Sequence, residues 1–284
     1  MTVRKANNYY LELKNHWLDL PYYHEKRRVR VLLPKDYHKE TWATYPVLYL
    51  HDGQNVFYSR EAFAGYSWKL IPTIKQNIDL PKMIIVGIDN HGEKRLDEYG
   101  PWQSDLPTEG QAGGDGMAYA DWVVNTVKPF IDHKYRTKPE RQSTLLAGSS
   151  MGGLITAYMG AAYPEVFGTL GVFSLCSWFS QRDFLRFIAS HPLNKQTRLY
   201  IQTGTKEGDE ADAAFISDMN QAYIDCALNY YQRTLEAGLP LTQIWLRILV
   251  NETHSEYYWA RHFKEFLSFA FADQKFWVYT FWYG

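Results

Sequence analysis

The chain has 284 residues, 46% of them hydrophobic and 21% charged, and a net charge of -1. That length allows one large α/β domain with a sizeable core, and the near-neutral balance offers no field for steering nucleic acid or an acidic membrane. Two cysteines, Cys176 and Cys226, argue against a disulfide framework, and both are expected reduced and buried. Residues 1–8 are polar and lack the apolar stretch of a signal peptide. No apolar run reaches the length of about 18 residues that a membrane span needs, so the expectation is a cytoplasmic protein without a membrane partner.

Residues 9–17 and 27–33 alternate apolar and polar side chains, the period of half-buried strands, and the turn at Pro21, Tyr22, Tyr23 and His24 would join them antiparallel. Residues 46–50 and 83–88 are continuous apolar runs of strand length, which suits central parallel strands. Residues 68–76 between them are helix-like. Residues 95–116 carry Pro101, Pro107 and five glycines (Gly100, Gly110, Gly113, Gly114, Gly116) and read as one long irregular loop. An amphipathic helix is predicted over 118–133, a buried strand over 144–147 and a helix over 154–163. Strands follow at 169–173, 198–202 and 243–250, with helices at 183–189, 211–237 and 255–272. The alternation predicts one α/β domain over residues 1–284, with a mostly parallel, doubly wound sheet flanked by helices. The aromatic tail, residues 276–283, should fold back on the body or bury itself against a second copy, because exposed aromatic patches of that size are uncommon on monomers.

The chemistry centres on Gly148-Ser149-Ser150-Met151-Gly152, a G-x-S-x-G segment between a predicted strand and a predicted helix. That setting is the nucleophile elbow, in which a strained turn exposes a serine. The plainer reading is a Gly-Ser turn with Ser150 as a helix cap. A serine nucleophile needs a base, and the base an orienting acid. In open α/β sheets the reacting groups collect at the carboxyl ends of strands. Ser150, Glu207 and His254 occur there in the order serine, acid, histidine. His262 sits inside a helical pattern, so His254 is the better base by position. Among Glu207, Asp209 and Glu210, Glu207 is nearest the strand end, while Asp209 and Asp212 suit a helix start. The backbone N–H groups of Met151 and Gln54 are the expected oxyanion donors. His51 and Asp52 as metal ligands is a competing view, but no further ligands occur at metal spacing and no cofactor is implied.

Four segments resemble the putative-esterase branch of the α/β-hydrolases, which includes esterase D, feruloyl and siderophore esterases and the mycolyltransferases. They are Tyr49-Leu50-His51-Asp52-Gly53-Gln54-Asn55-Val56-Phe57, then Ile88-Asp89-Asn90 with Arg95, Glu98 and Tyr99, then residues 148–153, then His254-Ser255-Glu256 with Trp259. The resemblance implies the α/β-hydrolase fold, the acid on Glu207 in Gly204-Thr205-Lys206-Glu207, and the second donor on Gln54 after Asp52-Gly53. Ser149 departs from the histidine that many relatives carry before the nucleophile. The combined expectation is a serine esterase acting on a small-molecule ester through an acyl-enzyme. Asp52, Trp68, Arg95, Glu98, Tyr99 and Trp178 are expected around the substrate, with core packing as the alternative for each tryptophan. An acyltransferase on the same residues and a non-catalytic binding protein of this fold are the rivals.

Overall fold

The computed structural model describes residues 12–106, 112–208 and 216–272. Its eight strands are β1 (Leu13–Leu20), β2 (Glu25–Leu32), β3 (Val47–Leu50), β4 (Ile84–Ile88), β5 (Thr144–Ser149), β6 (Thr169–Phe173), β7 (Arg198–Lys206) and β8 (Ile244–Thr253). They form one sheet in the order β1-β2-β4-β3-β5-β6-β7-β8. β1 and β2 enter antiparallel, β2 pairs antiparallel with β4, and all later pairs are parallel.

The side-chain period of two decides what each face buries. Val47, Tyr49, Leu146, Leu170, Val172, Leu199 and Ile201 point to one face. There they meet helices α3 (Gly116–Trp122), α4 (Lys128–Lys134), α5 (Met151–Ala162), α6 (Gln181–Ser190) and α7 (Met219–Glu236). Leu48, Leu50, Leu145, Ala147, Phe173 and Tyr200 point to the other face, covered by α1 (Leu70–Gln76) and α8 (Glu256–Ala270). The central strands are apolar on both faces because both faces are covered.

Several boundaries differ from the sequence reading. Residues 95–116 are not one irregular loop: α2 (Arg95–Tyr99) forms at their start and Gly116 opens α3. So short a helix needs tertiary support, and Glu98 supplies it by a bidentate ion pair with Arg27. The helix expected over 118–133 contains one wide π turn, Val123–Val127. Pro129 explains it, since proline lacks the N–H and crowds the carbonyl four residues back. The start expected at Ala211 falls outside the described residues, as do Asp209, Glu210 and Asp212. α7 itself opens at Met219, where the Asp218 side chain accepts the Gln221 N–H at 3.0 Å. The aromatic tail also lies outside the described residues. Cys176 and Cys226 are buried and unpaired. No described helix is long and apolar enough to cross a membrane.

The strand ends gather the polar residues. β3 ends at His51 and Asp52, β4 at Asp89 and Asn90, β5 at Ser150, β6 at Ser174, β7 at Glu207 and β8 at His254.

Candidate active site

Ser150 sits between β5 and α5 with φ 60° and ψ -127°, a backbone region few non-glycine residues occupy. Its neighbours must be small. A Cβ on Gly148 would lie 2.5 Å from the Gly152 carbonyl oxygen, and one on Gly153 would lie 2.9 Å from that of Phe173. The turn is pinned by the Ser150 N–H, which donates to the Phe173 carbonyl at 2.9 Å. Met151 is the first residue of α5, so its N–H belongs to the helix start that has no intrahelical acceptor.

Glu207 follows β7 and is 2% exposed. Its Oε1 accepts the Gly204 N–H at 2.6 Å and the Ser174 hydroxyl at 2.6 Å. Its Oε2 accepts from His254 Nδ1 at 2.8 Å. The His254 ring is held by Tyr223, centroid to centroid 4.9 Å, and by Trp259, edge-on at 5.0 Å. With Nδ1 on the carboxylate, Nε2 is the nitrogen left to exchange a proton with a ligand.

The loop after β3 carries the second cluster. Asp52 adopts a left-handed φ of 54° and its N–H donates to the Tyr99 hydroxyl at 3.0 Å. Gly53 packs against the backbone of Gly87, where a Cβ would lie 2.6 Å from the carbonyl carbon. The side-chain oxygen of Gln54 accepts the Asn90 N–H at 3.1 Å. Burial alone would raise the Asp52 carboxyl. Arg95, at 2.7 and 2.8 Å, outweighs that and holds it below the ordinary carboxylate range. Burial drives His51 down to about 3, with Arg95 adding to the shift and Asp52 opposing it. His51 Nδ1 bonds the Tyr119 hydroxyl at 2.8 Å.

Ser150 and His254 share one cleft of about 620 Å³ with Asp52, Gln54, Asn90, Arg95, Glu256 and Trp259. Glu61, Phe63 and Leu96 are among its other lining residues. Glu256 forms part of the wall, accepts the Asn55 side-chain amide at 3.1 Å, and has its carboxyl raised by burial. A second groove of about 210 Å³ lies at the amino end of β4, between β2 and α1, and has no serine, cysteine or histidine among its lining residues.

Four residues expected around a substrate lie elsewhere. Trp68 is 3% exposed and packs in the aromatic core against Phe173, Phe263 and Trp259, because its N–H is tied to the Asn55 carbonyl and its ring turns toward α8. Glu98 is fully buried on Arg27 and Tyr22. Tyr99 lies beneath the β3 loop as acceptor for Asp52. Trp178 packs against Tyr223, one layer behind His254. Tyr223 on His254 is not indicated by the sequence, and Ser174 is reached from it only as a candidate at the end of the 169–173 strand, with no link to Glu207.

The Putative esterase family model matches residues 21–230. The chain is 27% identical over 254 residues to the uncharacterized protein YbbA of Bacillus subtilis (strain 168), a match covering 88% of this chain and 94% of that one. Among solved structures it is similar to an IroE-like serine hydrolase from Shewanella oneidensis, with 21% identity, a TM-score of 0.72, and coverage of 90% of this chain and 79% of that one. An enterobactin esterase from Shigella flexneri superposes at a TM-score of 0.67 and 16% identity, over 93% of this chain and 60% of that one. The sheet and its flanking helices thus have the α/β-hydrolase fold. With a family match over well more than half of its length, the chain belongs to the Putative esterase family and is a carboxylic ester hydrolase.

Proposed function

We propose that the chain cleaves its ester through an acyl-enzyme on Ser150. The Ser150 oxygen attacks the ester carbonyl carbon while its proton passes to His254 Nε2. The carbonyl oxygen becomes an oxyanion facing the N–H groups of Met151 and Gln54. The tetrahedral species collapses, the C–O bond to the alcohol breaks, and the alkoxide takes the proton back from Nε2. Water then repeats the sequence on the acyl-enzyme and releases the acid. Glu207 orients the imidazole and balances its positive charge in both halves.

The observation that carries this reading is the 2.8 Å contact between His254 Nδ1 and Glu207 Oε2, with His254 and Ser150 lining one cleft. The test is hydrolysis of short p-nitrophenyl esters together with labelling by a fluorophosphonate probe. Ser150→Ala should lose hydrolysis by several orders of magnitude and all labelling, because members of such a set act as a unit. A Ser150→Ala protein that still turns over the esters removes the assignment.

A further inference from the structure

Ser174 follows β6, is fully buried and has a φ of 46°. Its N–H donates to the Gln202 carbonyl at 2.6 Å, which fixes its backbone between β6 and β7. Its hydroxyl accepts the Trp259 indole N–H at 2.8 Å and sits 2.6 Å from Glu207 Oε1. An indole N–H can only donate, and an ionised carboxylate can only accept. The single hydroxyl proton of Ser174 is therefore directed to Glu207. The chain of bonds runs one way, from Trp259 to Ser174 to Glu207, and the other oxygen of that carboxylate faces His254. Trp259 also closes the circuit sterically, with its ring edge-on to His254 at an interplanar angle of 88°.

We infer that Ser174 is a positioning residue for the Glu207–His254 pair, an inference that rests on the proposed roles of Ser150, Glu207 and His254. A carboxylate whose one oxygen accepts from the Gly204 N–H, the Ser174 hydroxyl and, at 3.4 Å, the Thr203 hydroxyl is held against swinging about its terminal bond. Oε2 then stays aimed at Nδ1 through both halves of the reaction. Removing the hydroxyl leaves the Trp259 N–H without its acceptor and takes one donor from Oε1, so the carboxylate is held less firmly toward His254. Ser174 does not line the cleft, so substrate binding should not change.

The experiment compares Ser174→Ala and Ser174→Gly in the wild-type and Glu207→Gln backgrounds. It measures kcat, KM and the rate of fluorophosphonate labelling of Ser150. The glycine variant adopts the left-handed backbone without strain, so it separates loss of the hydroxyl from failure to fold. In the wild-type background both variants should lose roughly 10- to 100-fold in kcat with KM unchanged, the range for a hydrogen bond to a charged group. In the Glu207→Gln background the same changes should cost about threefold or less, because the residue acts through a group already disabled. A loss carried over in full to that background, or a folded glycine variant with wild-type kcat, overturns the inference. Activity surviving in Ser150→Ala, measured alongside, strikes instead at the reading it rests on.

Discussion

Each oxygen of Glu207 has a separate duty: Oε1 takes its donors from the β6 and β7 ends, Ser174, Gly204 and Thr203, and Oε2 meets His254. Glu207→Gln exchanges one acceptor for a donor, which would face Nδ1–H or the Gly204 N–H with the wrong polarity. Its kcat/KM should fall on the order of 10³- to 10⁴-fold, while Asp209→Asn should stay near wild type. The opposite ranking in steady-state kinetics would move the acid. The pH profile of kcat/KM should rise between pH 5 and 8, where histidines as a class lose their proton. His51 does not contribute to that limb, since burial keeps it neutral down to about pH 3. A flat profile would speak against a histidine base. At this scale the sequence was most legible where the backbone itself is constrained. Ser150 and His254 were placed by glycines and strand ends. Trp68 and Trp178 were not, because an aromatic side chain near a strand end serves core or cleft equally well, and only the face it turns to decides. For Trp68 that face was set by a backbone bond to Asn55, which no local pattern announces.

Elements with a full period were readable, and those made by tertiary contacts were not. The apolar runs over β3 to β6 announced buried strands because both sheet faces are covered, and the 169–173 strand was placed to the residue. The five-residue α2 was missed because an ion pair from β2 holds it, and nothing within residues 95–99 does. The elbow leaves little room for change. Gly148→Ala would drive a methyl to 2.5 Å from the Gly152 carbonyl oxygen, so backbone must shift. Overpacking of this kind costs about 1–3 kcal/mol, which should lower Tm by several degrees and reduce kcat. Equal Tm and kcat for wild type and Gly148→Ala, by calorimetry and ester hydrolysis, would show the turn to be looser than this geometry.

Over the whole molecule, two buried groups at the β3 end couple folding to acid. His51 has its folded value far below that of an unfolded histidine, so the stability it contributes is complete above about pH 6.5 and falls as the pH drops toward 3. Asp52, held low by Arg95, contributes stability present above the unfolded carboxylate value and lost at still lower pH. Urea unfolding should therefore lose about 1.4 kcal/mol per pH unit between roughly pH 6 and 4, and His51→Asn should flatten that slope. An unchanged slope would assign the acid sensitivity elsewhere.

β6 stops at Phe173, opposite Gln202, but β7 and β8 run on together to Lys206 and Thr253, with an irregularity between Gly204 and Lys206. Past the end of β6 they continue as a two-stranded extension, a weak unit by itself, tied back to the body through the Ser174–Glu207 bond. Glu207 and His254 are mounted on its tip. Heat should fray that tip while the eight-stranded body stays intact. Hydrolysis would then fade several degrees below the far-UV transition and return on cooling, so this enzyme would lose its activity before its shape.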